Sequence, residues 1–391
     1  MAKLGELFTI SSGGTPSTQN QKYYENGTIP WVKTGDLKSK IISNNVDRIT
    51  QLGVDNSSAK LFPKNTVLVA MYGATIGACS ILPFEATTNQ ACAAFLPCEK
   101  VSPDYLYYFL SAKKEKFIND GVGGAQPNIS AGYLKNVDFE LKSLETQRQI
   151  AANLDKVTHT IDLCNAILEK LDLLVKSRFV EMFGEPIDNP MGWEVKTLKE
   201  LSTLITNGNT PKGGSENYVD EGIIFLRSQN VWRNRIDLSD VAYIDEETHQ
   251  KMKKSIVNHK DILITKTGRI NTENSSLGRA ALYLGENGSA NINGHVYLVR
   301  LNNSVVPEYV VTILTGEAYR KYIRKVCVGG IDKRQINLDQ VEDFPIIMPP
   351  KEKQQQFADF SNQIDKSKSA VKQLLEKAET LKKALMQEYF G

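Results

Sequence analysis

The chain contains one long sequence pattern twice. Residues 179–184 (FVEMFG) have a counterpart at residues 386–391 (MQEYFG), with an offset of 207 residues, and residues 31–37 (WVKTGDL) match residues 225–231 (FLRSQNV) with an offset of 194 residues. A repeat of this length corresponds to a whole domain and not to one unit of a solenoid. The sequence therefore predicts two copies of one domain.

Each copy has two parts with different periodicity. The first part mixes short β-branched segments with glycine-rich and asparagine-rich turns and includes one predicted helix, 104–117 in the first copy and 307–324 in the second. In the second part, apolar residues recur at alternating spacings of three and four, which is typical of heptads in long paired helices. Packing of each helix on its own globule is the simpler alternative.

These patterns predict an α+β protein with a pseudo-twofold internal repeat, in which two similar α/β domains are separated by two long helices. Gly184, Pro186 and Pro190 end the first helix and mark the boundary between the copies. The predicted segments are a first domain, a first helix, a second domain and a second helix, at residues 1–143, 144–184, 185–347 and 348–391.

Composition excludes several classes of protein. The sequence has a net charge of +2 and 41% hydrophobic residues, no apolar segment long enough to span a bilayer and no signal-peptide pattern at its start. Its five cysteines and four histidines are scattered, which argues against a disulfide framework and against a metal site. We expect a cytoplasmic protein without a bound metal.

No catalytic motif is present in the sequence. The chain has no phosphate-binding glycine loop, and its one Pro-Pro pair, in residues 348–351 (MPPK), lacks the surroundings of an amino-methyltransferase motif. We therefore expect a non-catalytic protein that supplies specificity to catalytic partners.

Taken together and in order, the repeated motifs resemble the specificity (S) subunits of type I restriction-modification systems. The resemblance covers the whole chain and is carried by residues 12–16 (SGGTP), 30–37 (PWVKTGDL), 73–77 (GATIG), 88–90 (TNQ), 145–150 (ETQRQI), 179–184 (FVEMFG) and 189–193 (NPMGW). It implies two target recognition domains, each recognising half of a bipartite DNA sequence, and an antiparallel coiled coil that docks partners.

The implied partners are double-stranded DNA, two methyltransferase (M) subunits and, in the full complex, restriction (R) subunits. The resemblance implies no cofactor in this chain, with S-adenosylmethionine, ATP and Mg²⁺ on the partner subunits. The predicted coiled-coil and partner interface is Leu154, Ile161, Leu168, Leu171, Val175, Phe179, Ile364, Val371, Leu374, Leu381 and Leu385.

DNA recognition requires cations that hold phosphates and forked polar groups that distinguish base edges. Such residues cluster in loops at equivalent places of the two copies. The candidates in the first copy are Lys33, Thr34, Tyr72, Asn89, Gln90, Gln126 and Asn128. The candidates in the second copy are Arg227, Ser228, Gln229, Lys266, Arg269, Asn293, His295, Lys333, Arg334 and Gln335.

Simpler roles are open for several of these residues. Lys33 and Arg227 can be solvated loop charges, and asparagines are common in turns because they form local hydrogen bonds. Gly73 and Gly268 can admit a phosphate or simply form turns at strand ends. We expect Trp31 and Trp232 to pack within the protein, since an intact duplex offers no unstacked base.

Two other functions are open from the sequence alone. A standalone DNA-binding regulator would bind its site tightly without a methyltransferase. A coiled-coil scaffold that binds proteins or glycans would show no affinity for DNA even with a methyltransferase present.

Overall fold

The computed structural model describes residues 1–121, 128–211, 213–272 and 274–391. The chain divides into two compact units. Unit 1 consists of Met1–Ala166 and Lys372–Gly391, and unit 2 consists of Ile167–Val371. Each unit thus combines one α/β domain with the adjoining parts of both long helices.

The first half of the chain ends with a long helix. Its elements are β1 (Ala2–Lys3), α1 (Leu4–Leu7), β2 (Ile10–Ser12), β3 (Ile29–Val32), β4 (Arg48–Ile49), α2 (Gln51–Asp55), β5 (Leu61–Phe62), β6 (Val67–Ala70), β7 (Cys79–Ile81), β8 (Ala86–Thr88), β9 (Cys92–Phe95), α3 (Pro103–Ala112), α4 (Lys114–Asn119), α5 (Ala131–Lys135), β10 (Asp138–Phe139) and α6 (Leu144–Phe183).

The second half follows the same plan with added short strands. Its elements are β11 (Glu194–Thr197), β12 (Ser202–Asn207), β13 (Ile223–Leu226), β14 (Val231–Trp232), β15 (Arg235–Ile236), β16 (Ala242–Ile244), α7 (Glu246–Lys251), β17 (Ile256–Val257), β18 (Ile262–Thr265), β19 (Thr267–Arg269), β20 (Ala280–Leu282), β21 (Ala290–Ile292), β22 (Val296–Leu301), α8 (Pro307–Thr315), α9 (Glu317–Val326), β23 (Val328–Gly329), β24 (Lys333–Gln335), α10 (Leu338–Glu342), β25 (Pro345–Met348) and α11 (Lys351–Phe390).

The sheets confirm the internal repeat. Unit 1 has two four-stranded sheets with the orders β2-β9-β6-β7 and β4-β3-β8-β5, and unit 2 has β12-β22-β18-β20 and β16-β13-β21-β17. In each unit one pair in the second sheet is parallel, β3 with β8 and β13 with β21. The central strands β6 and β18 are buried along their whole length, as their runs of apolar residues require.

The helix that follows the sheets differs from the sequence prediction. The predicted helices 104–117 and 307–324 are each two helices, α3 and α4 in unit 1 and α8 and α9 in unit 2. In unit 2 the break falls at Gly316, whose backbone is extended with φ −69° and ψ 157°. Glycine is a weak helix former, so it permits this sharp change of direction.

The long helices α6 and α11 run antiparallel within each unit. In unit 2, Phe179 and Phe183 of α6 pack on Phe357 of α11 with ring centroids 5.3 and 5.7 Å apart. Lys368 of α11 forms an ion pair of 2.7 Å with Asp172 of α6. Near the other ends of these helices, in unit 1, Leu154 of α6 belongs to the same apolar core as Leu385 of α11. The helices therefore pair in the predicted antiparallel sense.

The predicted seam of α11 is wrong at two positions. Leu374 and Leu381 are 52% and 49% exposed. Two heptad registers fit the spacing of apolar residues in α11, and both contain Ile364 and Val371. In the register that the helix adopts, the buried or half-buried residues are 364, 368, 371, 375, 378, 382 and 385. Lys368 and Lys382 are half-buried at seam positions, and Lys368 forms its ion pair with Asp172 from there. The alkyl stem of a lysine can cover apolar surface while its charge stays accessible, which suits such a position.

Two equivalent glutamines join the start of each long helix to its domain. Gln147 is fully buried, donates from Nε2 to the carbonyls of Lys100 and Lys142 at 2.9 and 2.8 Å, and accepts from the N–H of Ser102 at 2.9 Å. In unit 2, Gln354 donates to the carbonyl of Pro349 at 2.8 Å and accepts from the N–H of Val306 at 3.1 Å. An amide supplies both a donor and an acceptor, which is what this junction needs.

No helix within the described ranges is long and apolar enough to cross a membrane. The same ranges contain no group of three or more His, Cys, Asp or Glu side chains arranged to hold a metal ion.

Candidate nucleic-acid interface

In unit 1, three backbone hydrogen bonds bring the predicted DNA-binding loops together. The N–H of Asn89 donates to the carbonyl of Val32 at 3.0 Å, the N–H of Met71 donates to Ala91 at 2.8 Å, and the N–H of Ile129 donates to Met71 at 3.0 Å. These bonds join the segments that follow β3, β6 and β8. Lys33, Thr34, Tyr72, Asn89, Gln90 and Asn128 therefore lie on loops at one end of the unit.

Unit 2 repeats these three bonds. The N–H of Asn293 donates to Leu226 at 3.0 Å, the N–H of Lys266 donates to His295 at 2.9 Å, and the N–H of Ile336 donates to Lys266 at 3.0 Å. The predicted residues of the second copy thus gather on the same scaffold. We call these two loop clusters the recognition ends of units 1 and 2.

A glycine lies against each recognition end. A Cβ atom added to Gly13 would lie 2.0 Å from the carbonyl oxygen of Thr88, and one added to Gly208 would lie 2.1 Å from that of Ile292. Only glycine allows the chain to pass so close to these strands. This close contact explains why the motif SGGTP has a glycine at position 13 and why the equivalent position 208 is also a glycine.

Lys33 and Arg227, at equivalent positions of the two recognition ends, each lie beside a carboxylate. In unit 1, Nζ of Lys33 lies 2.5 Å from Asp47, and this hydrogen bond is the main cause that raises the pKa of Lys33. In unit 2, the guanidinium of Arg227 donates to Asp240 at 3.2 Å. The Nε atom of Arg227 is buried and without a recorded hydrogen-bond partner. These carboxylates orient the cations and reduce their attraction for a phosphate, which favours contact with base edges.

The turn around Arg227 also orients an amide. The N–H of Arg227 donates to Oδ1 of Asn230 at 2.9 Å, as the N–H of Lys33 donates to Asp36 at 2.8 Å in unit 1. Gln229 is exposed and donates to Asp240 at 2.6 Å. Ser228 lies between them and is half-buried. Asp240 therefore holds the side chains of Arg227 and Gln229 in one arrangement.

The remaining unit 1 candidates are polar and accessible to different degrees. Tyr72 is 43% exposed and forms an isolated antiparallel bridge with Asn128, which is also exposed. Gln90 is exposed and accepts from the hydroxyl of Thr15 at 2.5 Å. Oδ1 of Asn89 is buried and has no hydrogen-bond partner among the described residues. The predicted contact Gln126 lies outside the described residues.

A three-stranded ribbon carries three of the five lysines and arginines predicted to bind DNA in unit 2. β24 pairs with β19 and with β23, so that Arg269 lies opposite Lys333. Arg269 is exposed and its Nε lies 3.3 Å from Asp332, while Lys333 is exposed. Arg334 and Gln335 are half-buried on the same ribbon, and Nε of Arg334 is a buried atom without a recorded partner.

In unit 2 the structure changes the assignment of Asn293, and it gives a packing role to Gly268, for which two roles were open. Asn293 is 8% exposed and its Oδ1 accepts from the N–H of His295 at 3.0 Å, so it forms the turn and its assignment as a base contact is corrected. A Cβ on Gly268 would lie 2.2 Å from the nitrogen of Leu277, which means that packing within the chain requires this glycine. His295 remains exposed, and Nζ of Lys266 lies 5.7 Å from the ring of Tyr297.

The tryptophans behave largely as expected. Trp31 is 7% exposed and its Nε1 donates to the carbonyl of Gly14 at 3.1 Å. Trp232 is half-buried with the guanidinium of Arg279 at 4.0 Å from its ring. The sequence analysis missed Arg279, and also the hairpin arginines Arg233 and Arg235, which the pattern Trp-Arg-Asn-Arg at 232–235 could have indicated.

Comparisons with known proteins agree with the repeat. The family model of the type I restriction modification DNA specificity domain matches residues 1–173 and 190–380. The MjaIX specificity subunit of Methanocaldococcus jannaschii is 30% identical over 287 residues, which cover 68% of this chain and 65% of that protein. The MjaVIII specificity subunit of the same organism is 21% identical over 99% of this chain and 90% of its own length.

Solved structures show the same fold. The S subunit of the type I restriction-modification system from M. genitalium superposes with a TM-score of 0.61 at 16% identity, over 100% of this chain and 95% of that one. A protein from a study of assembly of the type I system gives a TM-score of 0.58 at 17% identity, over 100% and 96%. The regulator and scaffold alternatives find no support in these comparisons. Because the family model covers both halves of the repeat, the chain belongs to the type I restriction-modification DNA specificity family.

Proposed function

We propose that this chain is the DNA-specificity subunit of a type I restriction-modification complex, in which each unit recognises one half of a bipartite DNA target. One observation carries the proposal: the same backbone scaffold occurs at both recognition ends and presents different polar side chains. A common scaffold with different side chains suits the recognition of two different short sequences.

The proposed role needs no catalysis by this chain. Two methyltransferase subunits bind the helices, carry S-adenosylmethionine and methylate adenine. Restriction subunits join them and use ATP and Mg²⁺ for translocation and cleavage. This chain selects the DNA on which the partners act.

Exposed leucines on the long helices support docking of partner helices. The five most exposed are Leu163, Leu173, Leu174, Leu374 and Leu381, which are between 46% and 62% exposed. Burying such side chains against a partner provides about 1.5–3 kcal/mol each when they become fully covered. Leu374 and Leu381, which do not belong to the seam, are therefore proposed as contacts to a methyltransferase subunit.

The function is tested with the full chain and the methyltransferase subunit of its host's type I system. Single-molecule sequencing of genomic DNA, with and without the gene for this chain, should reveal methylated adenine in one bipartite sequence only when the gene is present. Equal methylation in both strains, or specific binding by the chain alone without capture of a methyltransferase, contradicts the proposal.

Replacing exposed leucines by aspartate tests whether Leu374 and Leu381 contact the methyltransferase subunit. The double variant Leu374→Asp and Leu381→Asp should fold normally and lose copurification with the methyltransferase, because a carboxylate replaces apolar contact. The matched control carries Gln373→Asp and Thr380→Asp, which add the same charges at neighbouring exposed positions. Full copurification of the leucine variant contradicts this surface.

A further inference from the structure

In unit 2, Arg235 and Arg279 lie over the ring of Trp232, and Arg233 lies at the tip of the small hairpin that carries Trp232 and Arg235. β14 pairs with β15 so that Trp232 lies opposite Arg235, and the two-residue turn between them is Arg233 and Asn234. Asn234 has φ +55°, the left-handed conformation that such tight turns require. At the offset of 194 residues, the corresponding stretch of unit 1 is residues 37–42, which follow the 3-10 turn Thr34–Asp36 and form no hairpin.

Hydrogen bonds place this arginine hairpin beside the recognition end of unit 2. At its base, the N–H of Asp237 donates to the carbonyl of Asn230 at 2.8 Å, and Asn230 also fixes the turn of Arg227. At its tip, the N–H of Asn234 donates to Ala280 at 2.8 Å. Ala280 pairs with Ile264, near the end of β18 that leads into the recognition loops.

The arginines are held in place and repel one another. The ring of Trp232 has Arg279 at 4.0 Å and Arg235 at 5.2 Å from its centroid. Arg279 donates from Nε to the carbonyl of Ser275 at 3.0 Å. Burial, followed by the charges of Arg233 and Arg235, lowers the pKa of Arg279, although a guanidinium remains charged at neutral pH.

Among the described residues, one carboxylate forms an ion pair with an arginine of this cluster. Asp237 lies 3.8 Å from Arg235, and its Oδ1 accepts from the N–H and hydroxyl of Ser239 at 3.0 and 2.7 Å. Arg233 is exposed at the tip, and no ion pair is recorded for it among the described residues. An excess of positive charge on a rigid platform is typical of a site that binds an anion.

We propose that Arg233 and Arg235 bind backbone phosphates of the DNA beside the half-site recognised by unit 2. The inference rests on the proposed function and adds a contact that carries no sequence information. Planar guanidinium groups form paired hydrogen bonds with phosphate oxygens, and stacking on Trp232 limits the motion of Arg235.

The test measures how DNA affinity depends on salt. The full chain, in complex with the methyltransferase subunit, is titrated with DNA that contains the methylated sequence and with scrambled DNA at several salt concentrations. Each phosphate contact contributes about 0.9 to the slope of log K against log salt. The double variant Arg233→Ala and Arg235→Ala should make the slope shallower by nearly 2 on both DNAs. The sequence that the complex methylates should stay the same.

Two further variants make the result specific. Arg233→Lys with Arg235→Lys keeps both charges and should retain most of the slope. Lys351→Ala with Lys353→Ala removes two exposed charges at the start of α11, where Lys351 donates to the carbonyl of Asn303 beyond the end of β22 that is remote from the recognition loops. This control should keep the full slope.

The outcomes separate the two proposals. Four results would each overturn the phosphate assignment. The arginine-to-alanine variant keeps the wild-type slope, methylates a different sequence or no longer binds the methyltransferase, or the lysine-to-alanine control loses as much slope as it does. Failure of the wild-type complex to prefer the methylated sequence over scrambled DNA instead overturns the proposed function. Circular dichroism and thermal unfolding confirm that the variants are folded.

Discussion

The two recognition ends share their backbone and differ in their side chains. Met71 and Lys266 make the same pair of backbone hydrogen bonds at equivalent positions, yet one side chain is apolar and the other is a cation. Ala91 and His295 are a second pair of equivalent residues: each accepts the same backbone hydrogen bond, but their side chains differ. The comparison teaches that backbone hydrogen bonds fix where the loops lie, which leaves their side chains free to differ.

The ends also differ in charge. Unit 2 presents Lys266 and Lys333 on or beside its ribbon and adds the arginine hairpin, whereas Lys33 in unit 1 is paired with Asp47 and Arg269 of the unit 2 ribbon is paired with Asp332. We infer that unit 2 supplies most of the electrostatic attraction for DNA and that unit 1 relies more on uncharged polar contacts.

The largest expected effect concerns a feature that the units share. Gln147→Leu and Gln354→Leu should each destabilise the protein by about 3 kcal/mol, because the first leaves three part-buried backbone groups and the second two buried ones without partners, at about 1–3 kcal/mol per group. Chemical denaturation of the two variants measures this loss. Similar losses would extend the structural equivalence of the two junctions to their energetics.

Exposed glutamines provide the control for this experiment. Gln149 and Gln356 are equivalent positions in the two copies and both are exposed, so their replacement by leucine should change stability by less than about 0.5 kcal/mol. If Gln147→Leu or Gln354→Leu behaves like these controls, the buried amides do not hold the domains to the helices.

The next effect separates the two recognition ends. Lys33→Ala should reduce discrimination between bases in the half-site of unit 1, and Arg227→Ala should reduce it in the half-site of unit 2. The expected loss of discrimination is about 1–3 kcal/mol in each case. Methylation of targets mutated in one half or the other measures the change. The idea of one half-site per unit fails if either variant relaxes both halves equally.

A smaller effect is expected from the carboxylates. Asp240→Asn removes a negative charge and loosens Arg227 and Gln229, so binding to scrambled DNA should strengthen while discrimination falls by about 1 kcal/mol. Asp47→Asn should do the same for the half-site of unit 1. A gain of discrimination in either variant would show that the carboxylate does not orient the neighbouring cation for a base.

The sequence predicted the fold well because the repeat provides two independent observations of it. Helix pairing was also predicted, but the register of α11 was not, since Lys368 and Lys382 hold seam positions that a hydrophobic pattern assigns to leucine. In such a long charged helix, alkyl stems and apolar side chains compete for the seam. Only the partner helix decides between the two registers.

The recognition ends were predicted in part. Repeat equivalence identified Lys33 and Arg227, whose turns have matching hydrogen bonds. It did not reveal that Asn293 is committed to its own turn, and it missed Arg279, because that residue is far in sequence from Trp232, on which it stacks. Contacts between distant segments cannot be inferred from local spacing.

The smallest expected effect involves an apolar residue at the tip of the unit 2 ribbon. Ile331 is 91% exposed in the connection between β23 and β24, next to the pair formed by Gly329 and Arg334. A two-stranded ribbon fits the major groove of DNA, where the methyl group of thymine is the apolar feature. Ile331→Ala should therefore weaken specific binding about fourfold, which corresponds to about 0.8 kcal/mol for one buried methyl group.

Deoxyuridine, which lacks the methyl group of thymine, tests this contact directly. Each thymine of the unit 2 half-site is replaced in turn, and one replacement should weaken binding by the unaltered chain while leaving that of the Ile331→Ala variant unchanged, since the contact is already lost. Leu284→Ala is the control, because Leu284 is 69% exposed and follows the end of β20 that is remote from the recognition loops. If every deoxyuridine substitution weakens binding by both proteins equally, Ile331 does not contact a thymine methyl group, and the apolar tip contributes nothing to the difference between the two recognition ends.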